Sequence, residues 1–111
     1  MKDKILNTIY EFLKTKKIEN ISILDISDIS IISDYFVIVS IDNMRLLEAL
    51  KNDIVKVCTK ENIIIKNIEG DNSPWILIDL VDVVIHLFIE SERKFYNLEK
   101  IWADAKRIEL I

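Results

Sequence analysis

Three ionisable side chains stand among aliphatic residues in the stretch WILIDLVDVVIHLF, which runs from Trp75 to Phe88. Asp79 and Asp82 could act as paired carboxylates that hold Mg²⁺ for nucleotidyl transfer, and His86 could act as a general base. Such an enzyme also needs a backbone that cradles phosphate, usually a loop rich in glycine and serine. The stretch alone therefore leaves three interpretations open: a catalytic site, a binding face, or a turn between two strands.

The rest of the chain offers little to complete a catalytic site. Gly70 is the only glycine, and the segment 40–43 carries Ile41 where a phosphate loop would need glycine. No serine or cysteine nucleophile accompanies His86 in its own strand. Cys58 is the only cysteine, which excludes an internal disulfide and a cysteine-based zinc site. We therefore expect a protein that is not an enzyme and that has no catalytic residues, metal ligands or cofactors.

Composition and charge favour a small acidic domain. The chain has 111 residues, half of them hydrophobic, so we expect one domain over residues 1–111 with a core of its own. Its 15 Lys and Arg are outnumbered by 19 Asp and Glu, which gives a net charge of −4. An acidic domain suits a basic protein partner better than nucleic-acid phosphates. The basic runs, KTKK at 14–17 and KR at 106–107, are too short for a nucleic-acid-binding face and are expected to be solvated helix ends.

The first residues, MKDKILNTIYEF, carry charges throughout and contain no long apolar run. They therefore match neither a signal peptide nor a membrane span. Together with the single cysteine, this predicts a protein of the reducing cytoplasm.

Hydrophobic periodicity predicts the elements that must position these residues. Helical spacing of apolar residues predicts helices at 3–16, 43–60 and 97–105, with Asn43 as the cap of the second. Residues rich in β-branched and aromatic side chains predict strands at 21–25, 34–41 and 63–68, followed by two more in WILIDLVDVVIHLF. The order α-β-β-α-β-β-β-α predicts an α/β fold of the mixed α+β kind, in which helices pack on a mixed sheet of about five strands.

The stretch WILIDLVDVVIHLF is too long for one strand and is expected to form a hairpin with a two-residue turn at Leu80 and Val81. In that register Asp79 lies opposite Asp82, and one face of the hairpin is mixed while the other is wholly aliphatic. The mixed face, expected to be exposed, carries Trp75, Leu77, Asp79, Asp82, Val84, His86 and Phe88. The aliphatic face, expected to be core, carries Ile76, Ile78, Val83, Ile85 and Leu87. Two alternatives remain open: the aspartates are ordinary turn residues, or a longer connection shifts the register, since Leu-Val lacks the Gly or Asn that tight hairpin turns favour.

Three blocks of the sequence resemble the ribosomal silencing factor family, also called Iojap-like proteins. The blocks are DYFVI at 34–38 with Ser40 and Arg45, then Glu69-Gly70 with Trp75, Asp79, DVVIH at 82–86 and Phe88, and finally RKFYNLEKIWADA at 93–105. They occur in the family's order and spacing and extend along nearly the whole chain. Relatives usually carry glycine within the segment at 40–43 and before the DVV strand, where this chain has Val81.

The resemblance implies a non-enzymatic repressor of translation. Such a protein binds the large ribosomal subunit through large-subunit ribosomal protein fourteen and hinders joining of the small subunit, typically under nutrient limitation. The implied fold is a small α/β domain similar to a minimal nucleotidyltransferase core, often a homodimer. Contact with ribosomal RNA would be peripheral, through the short basic runs, and no membrane is involved. Two other functions stay open, a Mg²⁺-dependent nucleotidyltransferase-like enzyme and an assembly factor for the large subunit.

The partner-binding surface is expected to combine the mixed hairpin face with neighbouring residues of the other two blocks. Its predicted members are Trp75, Asp79, Asp82, His86, Arg93, Tyr96 and Arg45. Arg45 stands near a helix N-terminus, where the helix dipole disfavours a cation, so it either serves a partner or pairs with Glu48 or Asp42. Arg93 and Tyr96 either extend the binding face beyond the hairpin or brace the last helix against the sheet.

Overall fold

A mixed sheet of six strands organises the chain in the computed structural model, which describes residues 2–16, 18, 21–28, 31, 33–91 and 106–108. The elements are α1 (Lys2–Thr15), β1 (Ile21–Asp25), β2 (Tyr35–Ile41), α2 (Met44–Lys60), β3 (Asn67–Glu69), β4 (Trp75–Asp79), β5 (Val83–Ile89) and β6 (Lys106–Ile108). The strands lie in the order β3-β4-β5-β2-β1-β6. Strands β2 and β5 are parallel, and every other neighbouring pair is antiparallel. The predicted mixed α/β fold is confirmed. The expectation that 106–107 is a helix end was wrong, because these residues belong to strand β6, which pairs with β1.

The two helices form because each carries an apolar stripe and α2 also has a good cap. Asn43 accepts a hydrogen bond at its side-chain oxygen from the backbone N–H of Leu46, at 2.9 Å, as the sequence predicted. Helix α2 buries Leu47, Leu50, Ile54 and Cys58, and α1 buries Leu6, Ile9 and Leu13. Cys58 is thus a small packed residue of the core. Neither α1 nor α2 is long and apolar enough to cross a membrane, and the part of the chain that the structure describes contains no other helix that is.

The main core lies between these helices and one face of the sheet. The aliphatic face predicted for the hairpin points into it, since Ile76, Ile78, Val83, Ile85 and Leu87 are all fully buried there. The opposite face of the sheet carries a smaller cluster of buried side chains, Leu24, Ile26, Ile38 and Phe88, against which Phe36 and Trp75 pack. Strand periodicity therefore assigned both faces of the hairpin correctly.

Strand β3 is shorter than predicted and begins later, because the first residues of the IIIK run end helix α2 instead. Asn62 takes a left-handed conformation with φ of 57°, and Ile63 donates its backbone N–H to the carbonyl of Cys58 at 2.8 Å. This is the hydrogen-bond pattern of a Schellman C-cap. The strand proper starts only at Asn67, so the prediction of a strand over 63–68 was wrong at its N-terminal end. The helix predicted at 97–105 lies outside the described residues.

Candidate functional site

The hairpin of β4 and β5 has a register two residues away from the predicted one. Trp75 pairs with Phe88, and Asp79 pairs with Val84. The predicted opposition of Asp79 to Asp82 is therefore wrong, as is the turn at Leu80 and Val81. Because a shift of two residues matches the period of a strand, every side chain nevertheless stays on its predicted face.

The turn between the strands is built around Val81, which takes a conformation that glycine favours. Its φ is 77°, and Asp82 donates its backbone N–H to the carbonyl of Leu80 at 3.1 Å, the pattern of a γ-turn centred on Val81. The Asp79 carboxylate accepts the N–H of Val81 at 2.8 Å, and the Ser33 hydroxyl donates to the Val81 carbonyl at 2.9 Å. Asp79 thus serves turn chemistry, which was one of the two roles left open for it. These hydrogen bonds keep Val81 at a positive φ, which a β-branched residue rarely adopts.

We expect Val81→Gly to raise the free energy of unfolding by about 1 kcal/mol. Positive φ costs a β-branched residue roughly 1–3 kcal/mol, whereas the extra backbone entropy that glycine loses on folding costs about 0.5–1 kcal/mol. Val81 is 45% exposed, so removal of its side chain loses few packing contacts. Urea unfolding measures the change, and Val81→Ala is the matched control because it keeps a Cβ at the same φ. A glycine variant no more stable than the alanine variant would contradict the strain.

The structure separates the predicted site residues into two groups at opposite ends of the hairpin. Trp75 begins β4 and Asp79 ends it, so about 13 Å of strand lies between them. Asp82 lies in the turn, where its carbonyl accepts the backbone N–H groups of Asp34 and Tyr35 at 2.9 and 3.0 Å. Both aspartates are half-buried. They share one end of the sheet with each other but not with Trp75.

The other group is an aromatic cluster formed by Phe36, Trp75, His86 and Phe88. The Trp75 and Phe88 rings stack with centroids 4.9 Å apart, and Phe36 meets His86 edge-on at 4.6 Å. His86 is 4% exposed and Phe88 is fully buried, while Trp75 is half-buried. The expectation that the whole mixed face is exposed was therefore wrong for Val84, His86 and Phe88, which are all buried. On the same face, the neighbouring strand β2 adds the apolar side chains of Phe36 and Ile38 to this cluster.

The hydrogen bond between Trp75 and His86 determines which imidazole nitrogen carries the proton. Trp75 Nε1 lies 3.1 Å from His86 Nδ1, and an indole N–H can only donate. Nδ1 of neutral His86 is therefore the acceptor, and Nε2 carries the hydrogen. Nε2 is buried and has no hydrogen-bond partner among the residues described. Burial lowers the pKa of His86 to about 4, so the ring is neutral at physiological pH and serves to hold Trp75 in place.

The buried imidazole predicts a loss of stability in acid. The pKa of His86 is about 4 in the folded state and 6.5 when exposed, so between these values the unfolded chain binds more protons. Stability should therefore fall as the pH is lowered from 6.5 to 4, by about 3 kcal/mol in total. Urea unfolding across this range should show the fall, and His86→Gln, which cannot titrate, should lack that part of it. If the free energies of unfolding of the wild type and of His86→Gln changed equally with pH, His86 would not be a buried neutral imidazole.

Helix α2 is tied to the loop that precedes Trp75. Glu48 accepts the backbone N–H of Asn72 at 2.6 Å, and the Lys51 ammonium lies 3.4 Å from Glu48 and 3.0 Å from Asp71. The hydrogen bond to Asp71 raises the pKa of Lys51, and Glu48 adds to the effect. Glu48 therefore binds the loop and Lys51, and no ion pair joins it to Arg45 within the described ranges. Arg45 is exposed in the first turn of α2.

Arg93 and Tyr96 lie outside the described residues, and their role stays a prediction. No group of three or more His, Cys, Asp or Glu side chains that could hold a metal ion occurs in the part of the chain that is described. Phe36 was missed as a site residue, although adjacent residues of a strand point to opposite faces, so either Tyr35 or Phe36 had to share the face of Trp75.

Comparison with known proteins gives consistent matches along the whole chain. A family model described as "Ribosomal silencing factor during starvation" matches residues 1–111. A protein of Halalkalibacterium halodurans named "Ribosomal silencing factor RsfS" is 42% identical over 96 residues, which cover 86% of this chain and 82% of that protein. A protein of Bacillus subtilis with the same name is 40% identical over 96 residues, which cover 86% and 81% of the two chains. A crystal structure of a Bacillus halodurans protein superposes with a TM-score of 0.84 at 35% identity, covering 97% of this chain and 99% of that one.

Proposed function

The chain belongs to the ribosomal silencing factor family, and we propose that it represses translation by binding the large ribosomal subunit. The contact is made through large-subunit ribosomal protein fourteen and hinders joining of the small subunit, as the resemblance of the three sequence blocks implies. The protein acts in the cytoplasm, where ribosomes work, and requires no catalytic step. Formation of a homodimer stays a prediction.

The observation that best supports this proposal is the arrangement around Trp75. Its indole is half-buried, stacked on Phe88 and hydrogen-bonded to His86, so the exposed part of the ring is held in one orientation. Tryptophan is enriched among residues that anchor protein interfaces, and an ordered side chain loses little entropy on binding. Trp75 is therefore proposed as the anchor, and His86 as the residue that positions it.

The two aspartates are proposed as a second part of the same interface. Asp79 lies about 13 Å from Trp75 along β4, with Asp82 in the turn beyond it, and an interface of ordinary size, about 800 Å² on each partner, spans that distance. Ribosomal proteins are generally basic, and the carboxylates of Asp79 and Asp82 would attract cationic groups on such a partner. Arg45 is exposed at the start of α2 and is a further proposed contact, together with Arg93 and Tyr96.

Binding to purified large ribosomal subunits tests this surface. We expect the wild-type protein to co-sediment with them at one copy per subunit, and Trp75→Ala to weaken binding about 30-fold, since a truncated aromatic anchor costs ~2 kcal/mol. Trp75→Phe is the matched control, because it preserves stacking on Phe88 and should lose less. Thermal unfolding of both variants verifies that the folded state is populated. If Trp75→Ala bound large subunits as tightly as the wild type does, the indole would not be the anchor.

The aspartates are tested by the salt dependence of the same binding. Asp79→Asn removes the charge while an amide oxygen can still accept the N–H of Val81, so the turn should be retained. Combined with Asp82→Asn, it should weaken binding more at low than at high ionic strength, since salt screens exposed charges. An equal loss of affinity at both salt concentrations would contradict an electrostatic contribution.

A further inference from the structure

A tight turn at residues 70–73 leads directly into Trp75. The Ser73 N–H donates to the carbonyl of Gly70 at 3.0 Å, and Asn72 has a φ of 64° at the third position, as in a type II turn. The Trp75 N–H donates to the Ser73 hydroxyl oxygen at 3.3 Å. The position of this turn therefore determines where β4 starts, and with it where the backbone of Trp75 lies.

Helix α2 holds both central residues of the turn. The Lys51 ammonium lies 3.0 Å from the carboxylate of Asp71 and 3.4 Å from that of Glu48, and Glu48 also accepts the backbone N–H of Asn72 at 2.6 Å. The two carboxylates converge on one cation, so without it they would repel each other across the junction between the helix and the turn. Lys51 thus converts a repulsive contact into an attractive one.

We propose that Lys51 is a positioning residue for the Trp75 anchor. Its ammonium fixes the turn against α2 and thereby holds the backbone of Trp75, while His86 orients the indole through its N–H. The Lys51 side chain is only 14% exposed, so it offers a partner little surface of its own, and its effect on binding passes through the turn. The proposal rests on the function proposed above, in which the indole is the anchor.

The resonance of Trp75 Nε1–H in the isotope-labelled full chain tests this positioning without a ribosome. The signal is identified by its absence from Trp75→Phe. We expect it to shift in Lys51→Gln and to return toward its wild-type position in Lys51→Arg, which keeps a cation at the junction. A loss of stability alone would not move a resonance of the folded state. An unchanged resonance in Lys51→Gln would overturn the proposal.

Co-sedimentation with large ribosomal subunits then measures what the positioning contributes to affinity. Lys51→Gln should weaken binding about 5-fold, the loss expected for one well-placed ion pair. Lys56→Gln is the matched control, because it removes the same charge from an exposed position of α2, and it should bind as the wild type does. Equal affinities of Lys51→Gln and the wild type would overturn the proposal.

A charge exchange separates positioning from direct contact with the partner. Lys51→Glu combined with Asp71→Lys leaves the net charge unchanged, and the new lysine can reach Glu48 and the new glutamate. Most of the affinity lost in Lys51→Glu alone should therefore return. If it did not return, Lys51 would touch the partner itself and the proposal would be overturned. If the wild type failed to bind large subunits, the proposed function would fall instead, and the Trp75 resonance would still decide the role of Lys51.

Discussion

Ile85→Ala should lower the free energy of unfolding by about 4 kcal/mol, in the upper part of the range for buried isoleucines. Ile85 is fully buried and lies on a central strand between Ile78 and Val37, facing the core beneath the helices. Truncation removes apolar burial and leaves a cavity that strands paired on both sides cannot close. Urea or thermal unfolding measures the effect, and Ile85→Val, which removes one methylene, should cost only about 1 kcal/mol.

The comparison of Ile85→Ala with Trp75→Ala tests the assignment of the two faces. Ile85→Ala should lose stability but, wherever it remains folded, keep its affinity for the large subunit. Trp75→Ala should mainly lose affinity, with a smaller loss of stability because the indole is half-buried on Phe88. A stable Ile85→Ala beside an unfolded Trp75→Ala would mean that the faces are assigned the wrong way round.

Gly70→Ala should destabilise the protein by about 4 kcal/mol, because two effects act together. Gly70 has φ of 83°, a conformation that L side chains rarely adopt, and a Cβ there would lie 2.1 Å from the carbonyl oxygen of Trp75. That oxygen belongs to the backbone at the start of β4, so relief of the clash displaces the strand itself. Binding to the large subunit should weaken as well, since the displaced backbone carries the Trp75 indole.

Ser73→Ala is the matched control for Gly70→Ala. The Ser73 hydroxyl oxygen lies 2.6 Å from the Gly70 carbonyl oxygen and 2.8 Å from that of Trp75, and its one hydrogen is shared between them, so its loss loosens the same loop without adding an atom to it. It should cost about 1 kcal/mol, the usual value of a hydrogen bond. Equal losses for Gly70→Ala and Ser73→Ala, measured by urea unfolding, would contradict the close approach at Gly70.

The sequence predicted correctly those features that depend on residues close together in the chain. Alternation along the hairpin assigned Ile85 to the core and Trp75 to the opposite face, and Asn43 was predicted as the cap of α2. The hairpin register was predicted wrongly because it depends on the turn. Val81 occupies a positive φ that a β-branched residue seldom takes, and one of the bonds that hold it there comes from Ser33, a residue far away in the chain.

The burial of His86 could not be predicted from its own strand. Asp79, Asp82 and His86 fall on one face of the hairpin with apolar residues between them, which is typical of a half-exposed strand pair. Part of its surroundings comes from β2, the neighbour of β5, which brings Phe36 to 4.6 Å from the imidazole. Strand order is a property of the whole fold, and no pattern within Trp75 to Phe88 encodes it.

The association of purified ribosomal subunits, followed by light scattering, tests the proposed function most directly. Large subunits are incubated with increasing amounts of the wild-type protein before small subunits are added, and the bound protein is measured in parallel by co-sedimentation. We predict that joining decreases in proportion to occupancy and is nearly abolished when every large subunit carries one copy. Trp75→Ala should require about 30-fold more protein for the same effect. Undiminished joining of large subunits that are saturated with the protein would contradict silencing.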